Sequence, residues 1–468
     1  MRLRPRPLAI FTLLLALCLL TACSCAPSRN AGNPVSQNAG ASTQTEASKS
    51  EPPPVQASPP EQEPPSASPA EEPVTEAKPA PNRSPAGDAS GSEPRRKRAK
   101  KMAPPSSSEE LGAYPRPGSA APPPPPEQGS GLTGLAGPDQ NYAVMRVFYA
   151  TDRQATGDPA PGKYYGGERQ PDESLHYGTL DVSIPREHRM GRMERPTILK
   201  LEIRQDPNKH LVLLSVLPRT EQEFYAALKD KVQSSANKDA FVFIHGFDNT
   251  FEQAAWRTAQ LAYDLGFQGA PIMYSWPSKG KLTNYSADEA TVDWATPHLE
   301  AFLETLAARS QATTVHLIAH SMGNRALVRA LATIAAKNAG VPPAFKHVFL
   351  AAPDIDAGVF RQIAATFPSA ASDVTLYASS RDEAIVASEK IHQFDRAGDS
   401  RHICVVAKVD TIDATAVDTG FIGHAYFADN RSILSDIFAV IQTGSPPTRR
   451  FGMHPAAMGN MTYWVFSP

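Results

Sequence analysis

"HLIAHSMGNRAL", residues 316 to 327, runs from an apolar stretch into a histidine and a serine, reaches a glycine two residues later, and then takes on helical spacing. Leu327, Leu331 and Ile334 recur at steps of four and three, so a helix opens where the strand closes, at Ser321. A serine at a helix N-terminus is commonly a cap, its side chain accepting from a backbone N–H of the first turn. A strand-to-helix turn is also where a nucleophilic serine sits. There the backbones of strand and helix crowd together and call for small residues two before and two after it. This chain has Ala319 and Gly323 in those places, with alanine a small departure from the usual glycine. We read Ser321 as a nucleophile.

The surrounding sequence supports that placement. Short apolar runs, "AFVFIH" (240–245), "PIMYSW" (271–276), "TVHLIAH" (314–320), "HVFLAAP" (347–353), "VTLYAS" (374–379) and "VDTIDA" (409–414), alternate with helical patterns up to residue 442. Strands apolar on both faces and separated by helices predict a parallel sheet covered on each side. Before them come "YAVMRVFYATDR" (142–153), "YGTLDVSI" (177–184), "TILKLEIR" (197–204) and "HLVLLSV" (210–216), all of strand composition, and then a helix in "EQEFYAALKDKVQSS". A β-rich opening followed by β/α repeats is the order of an α/β-hydrolase fold, with a mostly parallel central sheet and helices on both faces.

An acyl-transfer site needs donors for the oxyanion, a base and an acid. The Met322 N–H at the helix N-terminus is one donor, aided by the helix dipole. The second is expected from "FIHGFDNTFEQA" after an earlier strand, where Gly246 allows close backbone approach and Phe247 offers its N–H. His245 precedes the serine and is read as structural. In this fold the acid and base follow the serine in the order Ser, Asp, His. Asp382, in "YASSRDEA", is the favoured acid. Asp354 and Asp356, in "APDID", are the alternatives and can equally serve as helix caps. Of His392, His402, His424 and His454, His424 in "GFIGHAYFADN" follows the last expected strand and precedes the final helix. It is the expected base, with the carboxylate fixing its tautomer.

The blocks "VFIHGFDNTFEQAAWRTAQLAYDLGF", "YSWPSKG", "HLIAHSMGNRAL", "LAAPDID", "VTLYASSRDEA" and "VDTIDATAVDTGFIGHAYFADNRSILSDI" together resemble bacterial α/β-hydrolases of unknown function described as esterase- or lipase-like. The resemblance spans roughly residues 142 to 442. It implies a serine hydrolase fold, supports Ser321 and His424, and carries no substrate. Trp276, in the "SWPS" block, is a candidate pocket residue or a packed aromatic at a turn.

The chain has 468 residues, a formal net charge of -2 and 45 prolines, most of them before residue 140. Arg2, Arg4 and Arg6 precede an apolar stretch from Leu8 to Leu20 that is shorter than the roughly 20 residues a span requires. "LTAC" then resembles a lipoprotein cleavage site, so residues 1–22 are expected to leave and Cys23 to carry lipid, with Ser24 pointing to the outer membrane facing the periplasm. Lipid at Cys23 would be the membrane contact. Residues 23–139, rich in Pro, Ala, Ser and Glu, lack the apolar surface to offset ordering entropy and read as a disordered stalk with a reach of about 60 Å. Its "RRKRAKK" run (95–101) offers a contact to anionic lipid or cell-wall polymer, or simply keeps the linker solvated.

The folded part is expected over 140–445, followed by a tail over 446–468 whose late aromatic residues could dock on the domain or a partner. Cys404 is the one cysteine expected within the domain, so no disulfide framework is implied. The charge gives no reason to expect nucleic acid. No zinc helix or phosphate loop is present, His316 and His320 read as packing residues on one strand face, and neither metal nor cofactor is expected. The sequence therefore predicts an envelope carboxylesterase acting on a small ester or lipid through an acyl-enzyme. An acyltransferase with the same site, or a non-catalytic binding module on a long tether, are the alternatives.

Overall fold

The computed structural model describes residues 132–135, 140–196, 202, 204–417 and 430–467. The signal segment, Cys23, the linker up to residue 131, most of the strand expected over 197–204, and His424 lie outside the described residues.

Fourteen strands are described: β1 (Leu132–Leu135), β2 (Tyr142–Thr151), β3 (Arg153–Ala155), β4 (Tyr165–Arg169), β5 (His176–Pro185), β6 (Val212–Arg219), β7 (Asp239–Ile244), β8 (Ala270–Ser275), β9 (Thr314–His320), β10 (Phe345–Ala351), β11 (Ala371–Ala378), β12 (Asp410–Asp413), β13 (Met453–Met458) and β14 (Met461–Phe466). Twelve of them form one sheet in the order β13-β14-β12-β11-β10-β9-β7-β8-β2-β5-β6, with β1 against β2, while β3 and β4 pair separately. From β2 through β8, β7, β9, β10, β11 and β12 to β14 every neighbour is parallel. β1, β5, β6 and β13 join antiparallel. Every residue of β7 and β8 is buried, as central parallel strands require.

The strand period of two divides the core. Val242, Leu317 and Leu350 point to one face, where they meet Phe224 of α1 (Glu221–Ser234), Leu299 of α3 (Tyr285–Arg309), Leu327 of α4 (Gly323–Lys337) and Phe360 of α5 (Ala357–Ala364). Phe241, Phe243, Ile318 and Phe349 point to the other, against Ala259 of α2 (Phe251–Asp264), Ile385 of α6 (Glu383–His392) and Ile437 of α7 (Arg431–Thr443). Helices α1 and α2 each begin with a capping box, Thr220 with Glu223 and Thr250 with Gln253.

Chain direction across the sheet reverses at β7. The chain leaves β7 through α2 to reach β8 on one side, then returns through α3 to β9 on the other. Helices α2 and α4 therefore pack on opposite faces, and the carboxyl ends of β7 and β9 form the switch point at which open α/β sheets bind ligands.

Two boundaries differ from the sequence reading. Leu132–Leu135, inside the expected linker, forms β1 through backbone pairing to β2, which composition does not register. Residues 446–467, set apart as a tail, include a hairpin turning at Gly459 (φ +63°), whose β14 lies parallel to β12 with Trp464 opposite Ile412. Phe466 is buried there. No helix among the described residues is long and apolar enough to cross a membrane.

Candidate active site

Ser321 sits at the carboxyl end of β9 with φ +51°, the left-handed conformation that L-residues other than glycine rarely adopt. Several contacts hold it there. Its N–H donates to Ala351 O at 3.0 Å, and its carbonyl accepts from Asn324 N (3.1 Å), Asn324 Nδ2 (3.0 Å) and Asp354 N (3.2 Å). Asn324 Nδ2 also reaches Ala351 O at 3.1 Å, so this fully buried amide ties the elbow to β10. Strain that the surroundings impose in this way marks sites where a side chain must be presented at a fixed angle.

The two glycines singled out in the sequence are required by contact. A Cβ on Gly323 would lie 2.4 Å from His245 O, and one on Gly246 would lie 2.7 Å from Ser321 Cβ and 2.9 Å from His320 O. The loop after β7 thus packs directly on the elbow. Phe247 follows, half-buried, and Asp248 takes φ +59° before Thr250 caps α2. Neither the Phe247 N–H nor the Met322 N–H has a hydrogen-bond partner among the described residues. Both N–H groups lie on loops that touch at Ser321.

His245 and Trp276 lie behind this loop. Burial, reinforced by the charge of Arg153, pushes the His245 pKa down to about 3, so the ring is neutral across the working range and its role is structural. Trp276, a candidate pocket residue, is fully buried instead. It stacks on His245 at 5.1 Å and its Nε1 donates to His245 O at 2.7 Å, so it backs the loop and does not wall the cleft. Stacking draws its ring under the His245 side chain. His316, at the other end of β9 from Ser321, stacks on His347 at 5.2 Å, and burial lowers its pKa to about 3.

The three candidate acids have different surroundings. Asp382 is fully buried after β11, and its Oδ1 accepts from Ala384 N (3.1 Å) and Ile385 N (3.0 Å), capping α6. Asp356 caps α5 through Val359 N at 2.8 Å. Asp354 is committed elsewhere: it accepts from Tyr285 Oη and Ser388 Oγ, each at 2.5 Å, and faces Arg325 Nη2 at 3.4 Å and Arg396 Nε at 3.5 Å. Burial raises its pKa, but the two arginines and two hydroxyls outweigh that and hold it below the usual carboxylate range. His392, passed over as the base, joins this network through Glu289 at 2.6 Å and Ser388 O at 2.8 Å. His402 pairs with Asp395 at 3.2 Å, and His454 is exposed on β13.

A narrow cleft of about 30 Å³ has Ser321 in its wall, apolar sides from Phe247, Leu282, Ile385 and Ile391, and a polar end made by Tyr285, Asp354 and Ser388. A larger hollow of about 530 Å³ lies at the amino ends of β10 to β12, where Arg450 already faces Asp410 at 3.2 Å. That is the end of the sheet opposite Ser321. Glu389, Asp399 and His402 bring one potential metal ligand each within 4.8 Å of one another, but the Arg401 guanidinium pairs with both carboxylates.

Sequence reasoning missed Asn324, Tyr285 and the buried Arg153. Asn324 carried a usable signal, as a polar residue in the first turn of an otherwise apolar helix face.

Residues 220–442 match the model of a family described as alpha/beta hydrolase of unknown function (DUF900). The match takes in β7 to β12, and with them Phe247, Ser321 and Asp382. It is narrower than the span of the resemblance and leaves β1–β6 and β13–β14 outside. No curated protein matches the chain at a significant level.

Proposed function

We propose that this alpha/beta hydrolase domain is a serine hydrolase that cleaves carboxylic esters through an acyl-enzyme. The observation that carries the reading is the strained Ser321 at the switch point of the sheet, beside two backbone N–H groups that have no partner among the described residues. In the proposed cycle Ser321 Oγ attacks the ester carbonyl carbon while His424 takes the serine proton. The oxyanion accepts from the N–H groups of Phe247 and Met322. The bond to the alcohol oxygen then breaks, and His424 returns the proton to the leaving alcohol. Water, deprotonated by His424, attacks the acyl carbon, the bond from that carbon to Ser321 Oγ breaks, and His424 returns the proton to Oγ as the carboxylic acid leaves. Asp382 holds the imidazole tautomer and balances the imidazolium. The apolar walls and small volume of the cleft favour short acyl groups. His424 enters this assignment by its place in the sequence.

The test is covalent labelling of the full-length protein by a fluorophosphonate, with Ser321→Ala and His424→Ala beside it. The wild type is expected to label and both variants to lose the label. A well-folded wild type that takes none would overturn the reading and favour a tethered binding module. The same reading places the domain on a lipid at Cys23, supported by the "LTAC" stretch. Cys23→Ala is expected to move the protein from the membrane fraction to the soluble fraction, and retention of the variant in membranes would count against the anchor.

A further inference from the structure

Arg153 is 1% exposed, yet among the described residues no carboxylate contacts its guanidinium. Its five N–H groups instead meet five acceptors: Nε to Ser275 Oγ (2.8 Å), Nη1 to Gly166 O (2.9 Å) and Ser278 O (2.9 Å), and Nη2 to Asn249 O (2.8 Å) and His245 Nε2 (3.3 Å). One side chain thereby joins β4, the loop after β8 and both ends of the loop after β7. Arginine only donates, so His245 Nε2 accepts, Nδ1 carries the proton, and it donates to Gly246 O at 2.9 Å. At the far end of the loop, Asn249 Nδ2 donates to Gly246 O (3.2 Å) and Phe247 O (2.8 Å). The carbonyls on both sides of the Phe247 N–H are therefore held, each by a residue that Arg153 itself holds.

We propose that Arg153 is a positioning residue for the oxyanion hole, fixing the loop from His245 to Asn249 so that the Phe247 N–H faces the carbonyl oxygen of the ester attacked by Ser321. The inference rests on the serine-hydrolase reading above. Burial drives the Arg153 pKa down to about 9, opposed by Asp152 and Asp288. The cation is thus held by five hydrogen bonds to neutral acceptors, with Asp152 and Asp288 adding charge nearby. A lysine, with three donors on a flexible stem, cannot match a planar fork of five. Arg153 does not line the cleft, so its replacement is expected to act on kcat more than on substrate affinity.

Arg153→Lys in the full-length protein, assayed with p-nitrophenyl acetate, is expected to lower kcat about 100-fold, the usual cost of displacing a reacting group by about 1 Å. KM is expected to stay within about 2-fold, with the pH dependence of kcat/KM unmoved, since the base and acid are untouched. Asn249→Ser, which removes the bonds to the Gly246 and Phe247 carbonyls, is expected to lower kcat about 10-fold, and the double variant to lose less than the product of the two. Unchanged kcat in Arg153→Lys would overturn the inference and leave the serine-hydrolase reading standing. If Arg153→Lys does not fold, unchanged kcat in Asn249→Ser overturns it in the same way. A wild type that neither labels nor turns over the ester overturns the parent reading instead.

Discussion

Replacing Asp382 by asparagine is expected to lower kcat by about 10⁴-fold while leaving the domain folded. Asparagine caps helices as well as aspartate does, so the bonds to Ala384 N and Ile385 N survive and α6 keeps its start. What is lost is the charge that would hold the histidine tautomer and balance the imidazolium. Asp356→Asn serves as the comparison, because Asp356 also caps a helix and asparagine again preserves the cap. Its kcat on the same ester is expected to stay within about 2-fold. Loss of activity in Asp356→Asn alone would mean that the proposed acid is misassigned.

Asp354→Asn is expected to act on stability, with a loss of about 3–5 kcal/mol read as a lower denaturation midpoint at unchanged m-value. The substitution leaves the buried Arg396 beside an uncharged amide, strips the half-buried Arg325 of one of its two carboxylates, Glu289 remaining, and places an NH₂ group among donors. The sign of the pH dependence follows from the depressed pKa of Asp354. In the wild type its contribution is fully present above the unfolded value of about 3.9 and is lost as pH falls through the lower folded value. The gap between wild type and variant should therefore be constant near neutrality and narrow in acid. A gap that widens as pH falls, or a variant as stable as the wild type at pH 7, would contradict this account of the network.

The features legible in the sequence are those written in local pattern. The apolar runs that became β7 to β11 are buried on both faces and short, and the elbow was readable because Ala319, Ser321 and Gly323 stand at fixed offsets from a strand end. Arg153 was not readable. In "YATDR" it looks like a charged residue at a strand end, and its acceptors His245, Asn249 and Ser275 lie 92, 96 and 122 residues away. Burial of Thr151, Asp152 and Arg153 together depends on those distant partners, and no periodicity announces it. The split between Asp354 and Asp382 had the same obstacle, since both follow strands and only Arg325 and Arg396 set them apart. The closing hairpin was missed because its pairing with β12 is a tertiary event.

Among the described residues the outermost strands of the large sheet are β6 and β13, and each contains a proline, Pro218 and Pro455. A proline has no N–H to offer a newcomer, so both margins are poor templates for another chain. By pairing with β12, the hairpin also moves the margin away from the strand that leads into the His424 segment. Many copies held close together could then remain separate molecules instead of knitting into fibres, and a shortened form ending near residue 445 would be left with a naked, adhesive border.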